Sequence, residues 1–473
     1  MNKLYVTYLP AAILYGGRQM NSIKLMLQFT LSPSKGTLVR SVLYSAFFLL
    51  TCSIQAQRLL TIEDAIATAL QYNYDIRLSR NDSAVAALDN SYRNAVFLPR
   101  LNANAGMLWN RNNQKQDFAN GTKREGDVKT NNLNSSLTLN WTLFDGGRMF
   151  VIRDQAEELV RLGELTIKDQ LVNTIAEVIN RYYIIVRQKQ QLKAIEEQMS
   201  INQTRVDLAQ RKLDIGVGAK PELLQSKVDL NAQISSSLRQ KTLIQQLKES
   251  LNQIMNVTPG SNYEVSDSIP FNTRITLEEI QNNLENSNTF LQILRKNIDL
   301  ANLTLKQRKA EKFPIVSFNS AYNFSRTNND VALNPALPLL SQNRGYNYGF
   351  SATIPILNNR NAHRLVKQAE LDIQYQQLTF ESQRSAINLD VLNAFKEYEF
   401  QKQALELEET NILLAKENVT IILETYRLGQ ATLLQLREAQ QSLEDAYDRL
   451  IAARYNTKLA ETILLRIKGD LVR

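Results

Sequence analysis

The chain has 473 residues, 22% of them charged, with only 16 glycines and 10 prolines; this is enough for two or three ordinary domains and points to a helix-rich protein. The formal charge of +8 rests mainly on residues 1–56, where Lys3, Arg18, Lys24, Lys35 and Arg40 meet no acid, and the +3 left elsewhere is too small and dispersed for a nucleic-acid partner. A single histidine, His363, excludes a histidine-rich metal site and argues against an acid–base relay, and a single cysteine, Cys52, leaves no disulfide to form.

In chain order, Lys35 and Arg40 precede the apolar residues 42–50, and Ile54-Gln55-Ala56 ends in a small residue before Gln57, so 1–56 reads as a signal peptide, with a disordered tail as the competing reading. Met20 and Met26 are alternative starts. Cys52 is a lipidation candidate, but Leu49-Leu50-Thr51 lacks the usual small residue before it; cleavage at Ala56 leaves no thiol at all. From Thr61 to Phe97 the apolar spacing of Ile62, Ala65, Ile66, Ala69 and Leu70 predicts one helix, capped by Thr61 with Asp64 and stopped by Pro99. Leu101, Ala103, Ala105, Met107 and Trp109 then alternate with polar residues, as in a strand of about ten residues, the length of a tilted membrane strand. Residues 110–130 read as a polar loop, and 133–143 as the returning strand, giving a hairpin over about 100–143.

At Asp145-Gly146-Gly147 the period changes from two to about three and a half, and a helix is expected from Arg148 to about Ile215, roughly 100 Å long at 1.5 Å per residue. Leu171, Ile175, Val178, Tyr182 and Ile185 are spaced as a coiled-coil seam. Gly216 and Gly218 break the helix, and Pro221 opens a second one over about 222–256.

Residues 258–274 read as a linker between a first repeat, 57–257, and a second, 275–473. In the second, 275–279 answers 60–64, Phe313-Pro314 answers Leu98-Pro99, and two alternating strands form a hairpin over about 315–356 around a polar loop near 325–344. Asn361 stands where Arg148 stood, 213 residues on. The next long helix carries Ile387, Val391, Ala394, Tyr398, Leu405, Ile412, Ala415, Val419, Ile422 and Tyr426 on one register; Gly429 ends it, and a last helix runs over about 431–468. In each half the two shorter helical stretches sum to nearly the length of the long one, so they can lie end to end beside it.

The four strands carry Leu, Trp, Phe and Tyr on one face and Asn, Ser, Thr and Gly on the other. In water this is an ordinary half-buried sheet. In lipid, four strands cannot close and their edges are not permitted, so closure requires several copies; three give twelve strands, apolar outside and polar inside.

The duplicated layout, the Leu-Phe-Asp-Gly-Gly-Arg of 143–148, and the turns Leu213-Asp-Ile-Gly216 before Glu222-Leu223-Leu224 and Tyr426-Arg-Leu-Gly429 before Gln435-Leu436 together resemble the TolC-like outer-membrane channel-tunnels. The resemblance implies a mainly α fold with a membrane β-barrel: a homotrimer whose four strands per protomer complete a twelve-stranded barrel in the outer membrane, over a coiled-coil helical barrel crossing the periplasm. It implies a passive exit duct without cofactor, metal or catalytic residues, working with a periplasmic adaptor and an inner-membrane pump in efflux, or in type I secretion. It also implies a periplasmic gate. Acidic lumen positions fall on Gln435 and Glu438, so three rather than six carboxylates are expected; a closing tie falls on Glu222 and Tyr426, and its basic member falls on Ala431, so that link is absent. The plainer readings are a dipole-favoured charge at a helix N-terminus for Glu222, a solvated face for Glu438, and backbone necessity for Gly216 and Gly429. Gly216-Val-Gly-Ala-Lys220 lacks the spacing of a phosphate loop, and Glu196-Glu197 read as a solvated face. A periplasmic coiled-coil adaptor is the alternative, disfavoured because this chain places two strand hairpins between its helices.

Overall fold

The computed structural model describes residues 59–272, 274–331, 338–357 and 359–471; the expected signal segment, with Cys52, lies outside them. Leu59–Arg473 forms one compact unit. Its first half runs β1 (Leu59–Leu60), α1 (Ile62–Tyr72), α2 (Tyr74–Ser91), a 3₁₀ turn, β2 (Arg100–Asp117), β3 (Lys123–Asp145), α3 (Arg148–Asp214) and α4 (Lys220–Met255). The second half runs β4 (Glu264–Val265), α5 (Leu277–Gln281), α6 (Leu284–Ser287), α7 (Thr289–Ala310), β5 (Ile315–Asn329), β6 (Leu340–Thr353), α8 (Asn361–Arg427) and α9 (Leu433–Lys468).

The two long helices, α3 and α8, have 67 residues each, which at 1.5 Å per residue is roughly 100 Å. Each packs antiparallel on its short successor, α3 on α4 and α8 on α9. The seam of α8 keeps a strict heptad: Val391, Tyr398, Leu405, Ile412, Val419 and Tyr426 are all buried. Seven-residue spacing holds one edge of a helix against a partner over its whole length. Each half also anchors a seam tyrosine to the chain crossing it: the Tyr182 hydroxyl donates to the Leu60 carbonyl at 2.8 Å, and the Tyr398 hydroxyl to the Asn272 carbonyl.

The helix expected over 61–97 is in fact broken at Asn73. The buried Asn73 side chain accepts from Asp75 N at 2.9 Å and Ile76 N at 3.2 Å, starting α2, and its amide donates to the Ile254 carbonyl at the end of α4 at 2.9 Å. Asn288 does the same in the second half, accepting from Leu291 N at 3.0 Å and donating to Ile467 O of α9 at 2.9 Å. A helix end leaves carbonyls without partners and a helix start leaves amides without them; one asparagine joins both sets, so α2 continues from α4, and α7 from α9, end to end beside the long helices.

The main sheet has the order β2-β3-β5-β6, antiparallel throughout, with a bulge between Thr142 and Phe144. The expected loop at 110–130 is instead a continuation of β2 and β3, paired from Asn110↔Thr130 to Asp117↔Lys123 around a turn at Gly121. Apart from the buried Val128 its strand residues are polar on both faces, so alternation leaves only one apolar residue as a trace. Likewise β5 and β6 run into the stretch expected as a loop at 325–344. The expected linker contains β4, which pairs in parallel with β1, so the strands number six rather than four among the described residues. Row by row, the sheet brings Trp141, Phe318 and Phe350 together on one face and Asn140, Asn319 and Gly349 on the other. No helix covers the apolar face: Trp109 is 66%, Tyr346 76% and Phe350 74% exposed.

Gly146 and Gly147 turn the chain from β3 into α3 with φ of +74° and +87°, and the Asp145 carboxylate accepts from Met149 N at 3.1 Å to cap the helix. At the equivalent positions Asn359 and Arg360 hold φ of +53° and +60°, so the conformation alone does not demand glycine. Gly146 differs in its surroundings, because a Cβ there would lie 2.4 Å from the Ala310 carbonyl oxygen, whereas nothing crowds Gly147. Gly147→Asn is therefore expected to cost no more than about 1–2 kcal/mol, the left-handed penalty, and Gly146→Asn distinctly more; thermal unfolding of the two variants side by side measures the difference.

Candidate functional site

The candidate site is where the two helix pairs turn. After α3, Gly216 adopts φ +80° and the amides of Val217 and Gly218 donate to Lys212 O at 3.0 and 2.8 Å. After α8, Gly429 adopts φ +76° and Gln430 and Ala431 donate to Thr425 O at 2.9 and 3.3 Å. Open space surrounds a Cβ at either Gly216 or Gly429, so those two serve the backbone; the packed glycine is Gly218, whose Cβ would lie 2.7 Å from Leu213 N and from the Lys212 carbonyl carbon.

The structure joins Glu222 and Tyr426. Tyr426 is the last buried residue of the α8 seam, and its hydroxyl donates to the Glu222 carboxylate in the first turn of α4. Lys212 Nζ lies 4.3 Å from the centre of the Tyr426 ring, within cation–π range. Burial first, then the Glu222 carboxylate, pushes the Tyr426 phenol well above the usual tyrosine range, with the Arg205 charge opposing.

Gln435 and Glu438 are not part of that contact. Gln435 is the formal equivalent of Glu222, 213 residues on, but it is turned back into its own helix start: Thr432 N donates to Gln435 Oε1 at 2.8 Å and Gln435 N to Thr432 Oγ1 at 3.3 Å, a capping box. The corresponding cap of α4 is Ala219, which has no side-chain acceptor, so Glu222 is left free to reach Tyr426. Glu438 is exposed and has no side-chain partner within its own chain among the described residues.

A second layer, unanticipated from the sequence, lies one heptad further from the turns. Arg205 of α3, 2% exposed, pairs with Asp229 of α4 at 3.0 Å and donates to Asn202 Oδ1 at 3.1 Å and to Gln440 Oε1 of α9 at 3.0 Å. Gln440 donates in turn to Asn202 at 3.2 Å, and Arg437 of α9 lies 3.5 Å from Asp229. The sequence held one signal for it: Arg205 precedes Lys212 by seven residues, and Asp229 follows Glu222 by seven, so the pairs lie on common helix faces. Among the described residues no cluster of three or more His, Cys, Asp or Glu could hold a metal ion.

A chain of paired long helices with a four-stranded sheet whose apolar face is bare is the protomer of an outer-membrane channel. The outer membrane efflux protein family matches residues 65–257 and 280–470, and the chain belongs to that family. It is 21% identical over 399 residues to the outer membrane protein TolC of Vibrio cholerae, covering 83% of this chain and 86% of the relative. Among solved structures it is similar to the outer-membrane channel OprN, with TM-score 0.69 at 16% identity over 86% of this chain and 89% of that one. The Campylobacter jejuni CmeC outer membrane channel gives TM-score 0.69 at 15% identity, over 86% and 85%. The protein is therefore an outer-membrane exit duct, with its sheet in the outer membrane and its helices in the periplasm, and not an enzyme.

Two outcomes are expected. Ala219→Thr supplies α4 with the cap that α9 already has; it should draw Glu222 into a box and weaken its bond to Tyr426, seen as increased labelling or quenching of a probe at the turn. For Tyr426, the raised phenol pKa means that its contribution to stability is whole below about pH 10 and is lost as pH rises through the folded value. The difference in unfolding midpoint between wild type and Tyr426→Phe should hence be constant up to about pH 9 and shrink above pH 10.

Proposed function

We propose that three copies close the sheet into a twelve-stranded barrel and the helices into a periplasmic tunnel, forming the passive outer-membrane duct of a tripartite efflux pump for small molecules. A periplasmic adaptor and an inner-membrane pump supply the connection and the energy. The observation that carries this reading is the sheet: its aromatic face is bare, and its outer strands β2 and β6 each have an unpaired edge within the chain. Unsatisfied backbone groups in lipid cost several kcal/mol each, so the edges must pair with other copies. The helices support the same assembly. Phe400, Leu407, Leu414 and Ile421 of α8, with Leu428 at its C-cap, form a second heptad line, all exposed, and Leu224, Val228 and Leu238 are exposed on α4; each is an apolar stripe left uncovered by its own chain.

The α3–α4 and α8–α9 turns form the mouth of the tunnel in this proposal, held closed by Tyr426 on Glu222. Glu438 then lines the lumen as a ring of three, while Gln435 is occupied by its cap. A ring of carboxylates favours cations over anions.

In planar bilayers the protein should conduct ions as a detergent-stable trimer; a monodisperse monomer in mild detergent overturns the barrel. Loss of a hydrogen bond to a charged group is worth about 1.5–3 kcal/mol. Tyr426→Phe or Glu222→Ala should thus shift the closed–open equilibrium by about tenfold or more, read as raised basal conductance. Glu438→Gln should lower cation selectivity and blunt block by multivalent cations, with single-channel conductance otherwise kept. Unchanged selectivity in that variant, with unchanged basal conductance in the other two, would reject the mouth.

A further inference from the structure

We propose that Arg205 is a positioning residue of a second closure layer, one heptad above the turns, which holds Gln440 of α9 against α3 only as long as Asp229 neutralises it. The inference rests on the reading of the turns as the tunnel mouth.

The two helix pairs are built differently inside and between. Inside each pair an apolar cluster packs the helices near the turns, Val206, Ala209 and Leu223 between α3 and α4, and Leu405, Ile412, Val419, Ala439 and Leu443 between α8 and α9. Between the pairs, α3 presents a polar line at seven-residue spacing. Gln191 donates to Asp448 at 2.6 Å, Gln198 to the Gln440 carbonyl at 3.5 Å, Arg205 to Gln440 Oε1 at 3.0 Å, and Lys212 lies over Tyr426. Of these, the Gln191–Asp448 bond is exposed, and none of the other contacts but that of Arg205 buries a full charge so completely. Arg205 is different because it is a full charge removed from solvent, with its Nε buried and without a partner. A buried guanidinium is tolerated only when paired, and its ion pair comes from Asp229 on its own helix pair, whereas its link to the other pair is neutral, through Gln440. Closing the seam therefore requires a neutralised Arg205; a separated seam lets water reach it.

This makes the sign of each substitution specific. Asp229→Asn keeps the shape and leaves Arg205 buried without its counter-charge, so the seam should open, with basal conductance raised about tenfold or more, which is the usual sense of breaking one side of a buried pair. The double variant Arg205→Met with Asp229→Leu removes both charges and should restore basal conductance to within about twofold of wild type, because an apolar replacement of a buried pair is neutral or stabilising. Gln440→Leu removes the side-chain crossing contacts with Arg205 and Asn202 while leaving the Arg205–Asp229 pair whole; it should raise conductance several-fold and serves as the test if Asp229→Asn does not assemble. Arg437→Gln, which removes only the 3.5 Å crossing contact with Asp229, should leave conductance within about twofold of wild type. A rise equal to that of Asp229→Asn would assign the effect to Arg437 and overturn the role of Arg205. Tyr426→Phe is run in parallel. Raised conductance in Tyr426→Phe with none in Asp229→Asn or Gln440→Leu overturns the second layer and leaves the mouth standing. No change in any of them rejects both. An Asp229→Asn channel that the double variant does not re-close overturns the role given to the Arg205 charge.

Discussion

The structure depends on a seven-residue register held along 67-residue helices. A heptad fixes which edge of a helix faces its partner, and it transmits that choice along the helix: α8 has no proline or glycine to reset it, and α3 has only Gly163, far from the turn. In α8 the register runs from Val391 through Tyr426, so the residue that ends the core is also the one that meets Glu222. The side chain at the turn is placed by packing some 50 Å away at 1.5 Å per residue, not by the turn itself. In α3 the same period carries Gln191, Gln198, Arg205 and Lys212 towards the second pair. One periodicity thus writes an apolar seam and a polar seam on the same scaffold.

The two halves reach one geometry with different residues, which separates what the backbone needs from what a side chain adds. Left-handed residues start both long helices, as Gly146-Gly147 in one half and Asn359-Arg360 in the other; the glycine is needed where Ala310 crowds it. Buried asparagines, Asn73 and Asn288, splice the short helices in both halves. The divergence that matters is at the turns. Ala219 against Thr432 decides whether the residue three positions on, Glu222 or Gln435, is released to a neighbour or consumed by its own helix. The presence or absence of a hydroxyl at the cap therefore makes one turn reach out and the other close on itself.

The fold class was legible because it depends on period: alternation for the sheet, heptads for the rods, glycine at each change. What escaped was written without period or without polarity contrast. Asn73 interrupts a helix while the apolar spacing continues on both sides, and only its buried contact with Ile254 reveals the break. The outer ends of β2 and β3 are polar on both faces except at the buried Val128, so their ladder, with ion pairs such as Arg111 with Asp127 at 3.0 Å, resembles a loop in sequence. Arg205 reads as a solvated residue of a polar helix, and its burial follows from a third element, α9, arriving some 235 residues later. Glu222 and Tyr426 were paired on resemblance; the structure supplies the hydrogen bond, and the alanine cap supplies the reason that Glu222 is free to accept it.

The two ends of the protomer ask for other copies with different force. At the sheet end the demand is absolute in lipid, since an edge N–H or C=O has no solvent to turn to and side-chain adjustment cannot satisfy it. Along the helices it is graded, because an exposed stripe such as Phe400 to Leu428 is stabilised by burial in proportion to area and tolerates partial separation. At the turns the contacts between the helix pairs lie within one protomer and are largely polar, so the exposed polar ones can be replaced by water. The need for other copies is therefore absolute at the sheet and graded along the helices, whereas the contacts at the turns are made inside each protomer.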